Sequence, residues 1–81
     1  MRVAVRLFAQ LREAAGVREC TYDVPAGSTV ADVWRALVAD HQPLETFTGS
    51  VSAAVNADFA RLHAAVRDGD EVAFLPPVSG G

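Results

Sequence analysis

The fold of this chain is decided by its closing stretch, Asp70-Glu71-Val72-Ala73-Phe74-Leu75-Pro76-Pro77-Val78-Ser79-Gly80-Gly81. Val72 and Phe74 alternate with smaller or more polar neighbours, which is the period of a half-buried strand. Pro76 and Pro77 lack an N–H and have a fixed φ, so the strand should stop before them and the backbone should leave extended. The stretch therefore predicts a strand that carries a short C-terminal tail.

The tail ends in two glycines, Gly80 and Gly81. Because they lack a Cβ, this end could enter a channel that excludes other residues. We expect its distinctive chemical group to be the carboxylate of Gly81, carried on an arm into the active site of another protein. The alternative is a frayed terminus without a role, since chain ends are often disordered. The pattern divides the chain into a domain over residues 1–77 and a flexible tail over residues 78–81.

Length and composition indicate one small domain. The 81 residues carry 7 basic and 10 acidic side chains, a net charge of −3, without a basic stripe, which argues against nucleic-acid binding. No apolar run approaches the roughly 20 residues of a membrane span, and no signal-peptide pattern follows Met1. The single cysteine excludes an internal disulfide. We therefore expect a cytoplasmic protein without membrane contact.

Alternating apolar and polar residues predict a strand over residues 2–8 and, in part, over residues 17–24. Between them, residues 9–15 are good helix formers, and Gly16 is suited to end a short helix. The short connection favours antiparallel pairing of the two strands. The side chains predicted to share the apolar faces are Val3, Val5, Leu7, Cys20, Tyr22 and Val24.

The clearest element is a helix over residues 30–41. Thr29 and Asp32 have the spacing of a capping box, and Pro43 prevents a simple continuation. One apolar stripe follows the helical period, and its members are Val30, Val33, Trp34, Leu37, Val38 and His41. Residues 42–50 form a connection that Leu44 and Phe47 are expected to pin onto the core.

The remaining pattern contains a strand over residues 51–55, a turn over 56–58 and an ambiguous segment over 59–62 that is either a short strand or a loop. A turn over residues 66–70 leads into the last strand, and Gly69 suits a positive φ. Runs of strands around one helix predict an α+β fold, a mixed sheet of four to five strands packed on one main helix. That arrangement is the β-grasp architecture in outline.

The internal residues form no recognisable catalytic or metal site. His41 and His63 lie far apart without acidic or cysteine neighbours at ligand spacing, so two partly exposed histidines are the better interpretation. Cys20 lies on an apolar strand face, where a free cysteine usually behaves as a small hydrophobe. A solvated acidic rim, or a surface for a basic partner, is formed by Asp58, Asp68, Asp70 and Glu71.

The terminal carboxylate is thus the candidate reactive group. Activation by ATP would make it an acyl-adenylate; a lysine would then give a protein conjugate, and sulfide or a persulfide would give a thiocarboxylate. Both routes need an activating enzyme with a phosphate site, and this chain shows no such motif. We therefore expect a carrier without a bound cofactor, and ATP is consumed by the activating enzyme.

Three segments carry a family resemblance, and they are Leu7-Phe8-Ala9 with Leu11-Arg12-Glu13 and Gly16, then Ala54-Val55-Asn56, then Asp68-Gly69-Asp70-Glu71-Val72-Ala73-Phe74 with Pro76-Pro77-Val78-Ser79-Gly80-Gly81. Together they resemble the MoaD family of small, sulfur-carrying subunits of molybdopterin synthase. The first segment distinguishes this family from shorter ThiS-like carriers with the same fold and Gly-Gly end. The resemblance covers the whole chain and implies a ubiquitin-like β-grasp fold.

The resemblance implies a non-catalytic carrier subunit in molybdenum cofactor biosynthesis. A MoeB-like enzyme would adenylate Gly81, and a sulfur donor protein would convert it to a thiocarboxylate. The tail would then enter the large subunit, MoaE, and deliver sulfur to precursor Z, with Gly80 giving clearance and Ser79 and Val78 threaded behind it. Family members form a heterotetramer of two small and two large subunits.

Docking to a partner is expected to rest on an apolar patch beside the exit of the tail. The candidate contacts are Phe8, Leu62, Phe74, Leu75, Pro76, Pro77 and Val78. For Leu62 and Phe74, a place in the core is an equally open alternative.

Other functions stay open. One is a related carrier that serves thiamine synthesis, tRNA thiolation or cysteine synthesis. Another is a ubiquitin-like modifier that is conjugated to lysines, and the last is a plain interaction domain with an idle tail.

Overall fold

Within the described part of the chain, five strands form one mixed sheet, and the last of them lies at its centre. The computed structural model describes residues 1–77. The strands are β1 (Arg2–Leu7), β2 (Glu19–Asp23), β3 (Ser52–Val55), β4 (Asp58–Ala60) and β5 (Glu71–Leu75). They lie in the order β2-β1-β5-β3-β4. β5 is parallel to β1 and antiparallel to β3, while the β1–β2 and β3–β4 pairs are antiparallel.

The helical elements are α1 (Ala9–Ala15), α2 (Val30–Asp40) and a 3₁₀ helix (Gln42–Phe47). α1 connects β1 to β2 and ends as predicted at Gly16, whose φ of 77° lies in the left-handed region. α2 begins at the predicted capping box: the Asp32 N–H donates to Thr29 Oγ1 at 3.2 Å, and the Thr29 N–H donates to Asp32 Oδ2 at 2.9 Å. The 3₁₀ helix places Leu44 in the core, which confirms the expected pin.

The core lies between α2 and one face of the sheet. Phe74 of β5 is fully buried, and its ring centroid lies 5.0 Å from that of Trp34, with an interplanar angle of 59°. Trp34 is 2% exposed, and its Nε1–H donates to Thr48 Oγ1 at 3.0 Å. The indole therefore packs against the central strand and is tied to the loop after the 3₁₀ helix, which satisfies its polar atom.

The segment that the sequence left ambiguous contains β4. Asn56 and Ala57 have positive φ values of 50° and 74°, so they close a two-residue hairpin turn between Val55 and Asp58. The turn is one residue shorter than the predicted turn over residues 56–58, because Asp58 already belongs to β4. This strand forms because its backbone pairs with β3 over Asp58–Ala60.

The mixed five-stranded sheet on one main helix confirms the predicted ubiquitin-like β-grasp fold. The division into a domain and a tail stays a prediction, because residues 78–81 lie outside the described residues. Within residues 1–77, no helix has the length and apolar character needed to cross a membrane.

The stability of the domain should depend on Phe74 of β5 and not on Phe59 of β4. Phe74 is fully buried, whereas Phe59 is 88% exposed. We expect Phe74→Ala to lower the free energy of unfolding by about 3–5 kcal/mol, because it removes a buried ring and leaves a cavity. The matched control Phe59→Ala should change it by less than about 0.5 kcal/mol. Urea-induced unfolding followed by circular dichroism measures both, and equal effects would contradict the core assignment.

Candidate functional site

The backbone that leads into the tail is held on both sides. Leu75, the last residue of β5, pairs with Ser52 of β3, and Phe74 pairs with Leu7 of β1. The strand stops before Pro76, as predicted, because proline cannot donate to the ladder. Pro76 is half-buried and Pro77 is exposed. The sheet therefore determines where the chain continues toward residues 78–81, the predicted tail, and we call this point the exit of the tail.

The face of the sheet opposite α2 carries small and apolar side chains beside this exit. Ala54 pairs with Phe59 on one side and with Ala73 on the other, so these three residues lie in one row across three strands. Leu75 lies two residues beyond Ala73 on the same face. Phe8 follows Leu7, the partner of Phe74, and therefore lies level with Leu75. We call these five residues, Phe8, Ala54, Phe59, Ala73 and Leu75, the tail-side patch.

The shape of the tail-side patch follows from its side chains. In this row, the small side chains of Ala54 on β3 and Ala73 on β5 lie between Phe59 and β1. A shallow floor of small side chains, about 10 Å wide, therefore lies beside the phenyl ring. Phe59 is 88% exposed and Phe8 is 38% exposed, and both are large apolar side chains. Exposed aromatic side chains beside a floor of small residues are typical of a surface that a partner covers.

Sequence reasoning did not select Phe59, because it left residues 59–62 unassigned. The information that identifies it is the two-residue turn at Asn56 and Ala57, which sets the register of the hairpin. Once Ala53 faces the core, Ala54 and its partner Phe59 must face outward.

The predicted partner contacts differ in how accessible their side chains are. Phe8 and Pro77 are exposed, and Leu75 and Pro76 are half-buried, so these four side chains are accessible beside the exit of the tail. Phe74 is fully buried, and its inclusion was wrong because the alternation along β5 directs it toward Trp34. The other predicted contact is Leu62, which is half-buried and packs against the core. The positions predicted for the tail, Val78, Ser79, Gly80 and Gly81, lie outside the described residues.

Charged groups flank the tail-side patch. The Arg6 guanidinium carbon lies 5.7 Å from the centroid of the Phe8 ring, a cation–π distance. Arg6 Nη1 lies 3.9 Å from Glu71 Oε1, in an exposed and therefore weak ion pair. Arg61 follows Ala60, the partner of Ala53, and so lies level with Ser52 at the same end of the sheet. Positive charge therefore lies beside the apolar patch, with the Arg6 guanidinium over the ring of Phe8 and Arg61 at the same end of the sheet.

The opposite end of β5 is held by a polar network instead. Asn56 Nδ2 donates to Asp70 Oδ1 at 2.9 Å, and the Glu71 N–H donates to Asn56 Oδ1 at 3.0 Å. The Arg67 N–H donates to Asp70 Oδ2 at 2.8 Å, and the Arg2 N–H donates to Asp68 Oδ1 at 2.7 Å. The expected acidic rim therefore has a definite local role, because Asp68 and Asp70 brace the turn into the central strand.

Cys20 and Tyr22 lie on the same face of β2, near the C-terminal end of α2. The Tyr22 hydroxyl donates to Asp40 Oδ2 at 2.8 Å. Burial, and then the neighbouring Asp40 carboxylate, raise the pKa of the Cys20 thiol above its usual value. Burial and the hydrogen bond to Asp40 also raise the pKa of the Tyr22 phenol. Both groups are therefore held in their protonated, weakly nucleophilic forms.

His41 is half-buried and His63 is exposed. Among residues 1–77, no three histidine, cysteine or acidic side chains come together as metal ligands would. The geometry brings together the patch, the guanidiniums and the exit of the tail, and it leaves the two histidines outside this group.

Comparison with known proteins assigns the family. A model described as the ThiS family matches residues 5–81. The chain belongs to the ThiS family. Among curated proteins, this ThiS-family chain is 37% identical over 83 residues to the molybdopterin synthase sulfur carrier subunit of Chlamydomonas reinhardtii, a match that covers all of both chains. It is 39% identical over 84 residues to small archaeal modifier protein 1 of Haloferax volcanii, which covers 94% of this chain and 97% of the relative.

Solved structures agree with the fold of this ThiS-family chain. The crystal structure of the same Haloferax volcanii modifier has a TM-score of 0.87 and 38% identity, and the match covers all of both chains. A complex of subunits 1 and 2 of the molybdopterin-converting factor of Helicobacter pylori contains a chain with a TM-score of 0.68 and 26% identity, again over all of both chains.

The network at the start of β5 predicts an acid-dependent loss of stability. The backbone N–H of Arg67, and then the side chain of Asn56, lower the pKa of Asp70 below its usual value of 3.8. The resulting stabilisation is present above the pKa of the unfolded state and disappears as the pH falls through the lower, folded-state pKa. We expect Asp70→Asn to flatten the decrease in urea midpoint between neutral and strongly acidic pH.

The control for this pH series is Asp58→Asn, at an exposed carboxylate that accepts no hydrogen bond among the side-chain bonds found in residues 1–77. It should retain the decrease seen in the wild type. An equal flattening in both variants would assign the effect to net charge and not to the network.

Proposed function

We propose that this protein is the sulfur carrier of a molybdopterin synthase. The observation that carries the proposal is the full-length similarity, at 37% identity, to a curated sulfur carrier subunit of that enzyme. It is supported by the order of the sequence, in which Pro76, Pro77 and the predicted Gly-Gly tail follow the central strand of the sheet. The protein would be a carrier and not a catalyst, and its location in the cytoplasm stays a prediction.

In the proposed cycle, the reactive group is the carboxylate of Gly81. A MoeB-like enzyme uses ATP to form the acyl-adenylate and releases pyrophosphate. Hydrosulfide that displaces AMP gives the thiocarboxylate at Gly81 directly. A persulfide on a donor protein would first give an acyl disulfide, and a thiol of the donor would then attack its S–S bond, so that the thiocarboxylate leaves and a disulfide remains on the donor. In the active site of the large subunit, the thiocarboxylate delivers its sulfur to precursor Z. No cofactor bound to this chain is required, because the nucleotide is held by the activating enzyme.

The partner of the tail-side patch would be a MoaE-like large subunit. The Helicobacter pylori relative lies in a complex of subunits 1 and 2 of its converting factor, so a chain of this fold does associate with a second subunit. Here, Phe8, Phe59 and Leu75 would contact the partner while the tail enters its active site. Two small and two large subunits would form the heterotetramer, as the family resemblance implies.

A second candidate function is protein modification. The similarity to small archaeal modifier protein 1, at 39% identity and with a TM-score of 0.87, favours it. The same activated carboxylate would then react with a lysine amine on a target protein. The two functions share the activation step and differ in the acceptor, so the acceptor is what an experiment must identify.

The tail should be essential for sulfur transfer and unimportant for stability. We expect deletion of Gly81 to abolish sulfur transfer and Gly80→Val to reduce it severely, because the added side chain obstructs a narrow channel. Both should change the free energy of unfolding by less than about 0.5 kcal/mol. Intact mass spectrometry detects the exchange of one oxygen for one sulfur, and reconstitution with the large subunit measures molybdopterin formation.

The matched control for the tail variants is Gly49→Val. A Cβ built on Gly49 meets nothing within 4 Å, so this added side chain should leave both stability and sulfur transfer unchanged. Molybdopterin synthesis by the protein without Gly81 would contradict the proposed function. Isopeptide adducts on cellular proteins, without sulfur transfer, would instead support the modifier.

Truncation at the tail-side patch should weaken the complex without unfolding the domain. We expect Phe59→Ala to weaken binding to the large subunit about tenfold, or about 1.4 kcal/mol, because exposed aromatic side chains often dominate interfaces. Arg35→Ala, on the exposed side of α2, is the control and should bind as the wild type does. Isothermal titration calorimetry measures both, and unchanged binding by Phe59→Ala would remove this face of the sheet from the interface.

A further inference from the structure

The seven basic side chains of this protein are all arginines, and the sequence contains no lysine. They are Arg2, Arg6, Arg12, Arg18, Arg35, Arg61 and Arg67. A guanidinium stays protonated in proteins and is not a nucleophile, whereas a lysine amine attacks activated carboxyl groups. The surface therefore carries positive charge, including Arg6 and Arg61 near the exit of the tail, without offering a side-chain amine.

We infer that this protein is inert toward its own activated C-terminus, so that acyl transfer from Gly81 reaches only nucleophiles outside the chain and never links copies of the carrier into polymers. The inference rests on the proposed function, since it requires an activated carboxyl group at Gly81. It also restricts the second candidate function: a modifier of this kind would add one copy to each target lysine.

A further amine is the α-amino group of Met1. It donates a hydrogen bond to the carbonyl oxygen of Val24 at 2.8 Å and is partly buried. Met1 precedes β1 at the end of the sheet where Arg2 pairs with Asp23, whereas β5 ends at the other end, where Leu7 pairs with Phe74. This amine is thus engaged with the backbone at the end of the sheet remote from the exit of the tail.

The thiol and phenol of β2 are restrained by a common neighbour. Tyr22 donates its hydroxyl hydrogen to Asp40, and Cys20 lies two residues away on the same face of β2. The Asp40 carboxylate disfavours a second negative charge there, and partial burial acts in the same direction, so the thiolate and phenolate are both disfavoured. The serine and threonine hydroxyls are weak nucleophiles unless a base removes their proton. Among residues 1–77, the Thr29 hydroxyl donates to Asp32 Oδ2 at 3.1 Å, but this carboxylate is already engaged in the capping box of α2. An imidazole that accepted the acyl group would lose it to water.

The chemistry of the excluded reaction is simple aminolysis. An amine attacks the acyl carbon of the adenylate, the C–N bond forms, the C–O bond to AMP breaks, and the amine loses a proton to solvent. A carrier that is concentrated on its activating enzyme would meet other activated copies often. A surface lysine would then consume the activated carboxyl group before the sulfur donor did, so a surface of arginines protects the carrier cycle.

The direct test uses the full chain with a thioester at Gly81, prepared by intein cleavage, so that it does not depend on the activating enzyme. The wild type, Arg61→Lys and Arg67→Lys are each incubated at mildly alkaline pH, and intact mass spectrometry with peptide mapping quantifies linked copies. We expect the wild type to remain as single copies and to hydrolyse slowly. Both lysine variants should form linked copies through the new amine, because arginine and lysine differ little in charge but differ in nucleophilicity.

Three results would overturn the inference. Linked copies of the wild type through Met1, Cys20 or Tyr22, at a rate comparable with that of the lysine variants, would show that the surface is not inert. If the thioester forms of Arg61→Lys and Arg67→Lys also remained as single copies, the absence of lysine would not be the reason that the wild type does not form linked copies. Asp40→Asn should increase exchange of the thioester onto Cys20, and no increase would contradict the restraint by Asp40.

A separate arm tests the function on which the inference rests. The untreated protein is incubated with ATP, Mg²⁺ and the activating enzyme, and pyrophosphate release is measured. Release without linked copies supports both proposals. Absence of release contradicts the proposed activation and leaves the result of the thioester experiment intact, so the two failures are distinguishable.

Discussion

The structure depends on the placement of β5 between β1 and β3. The strand has ladder partners on both sides and directs Phe74 against Trp34 of α2, so one segment joins the two halves of the sheet and attaches the sheet to its helix. Parallel pairing with β1 requires the chain to cross the molecule between the first and last strands. The core is therefore complete only with the C-terminal strand in place, and the same ladder hydrogen bonds that hold this strand fix the point at which β5 ends.

The alternation of side chains along the strands places the core residues and the tail-side patch on opposite faces of the sheet. Along β5, Val72 and Phe74 enter the core, while Ala73 and Leu75 face the other side of the sheet. Along the β3–β4 hairpin, Ala53 is buried, and the pair Ala54 and Phe59 faces outward. Because successive side chains on a strand point to opposite faces, the tail-side patch can differ among relatives without loss of the core. A family with one fold and several partners requires such independence.

The two ends of β5 have different chemistry. At its start, Asn56, Asp68 and Asp70 satisfy backbone donors and brace a turn, so the carboxylates there serve the fold. At its end, apolar side chains lie beside the polar Ser52 and the arginines Arg6 and Arg61, whose guanidiniums cannot act as acyl acceptors. An acidic protein thus presents a surface at the exit of its tail that combines apolar contact with positive charge and little nucleophilicity.

Most of the helices and strands could be predicted from the sequence, because each has a local signal. The alternation over β1 and β5, the capping box of Thr29 and Asp32, and the φ-permissive Gly16 and Gly69 are properties of neighbouring residues, and all took the predicted form. The tail and its proposed chemistry were also inferred from residue identity alone. Which side chains are buried and which are exposed follows from the tertiary contacts. Phe74 and Phe59 are the same residue type on strands of similar pattern, yet one is fully buried and the other 88% exposed. That difference depends on the register of a hairpin and on the side of the sheet that α2 covers, which are long-range relations that local patterns do not encode.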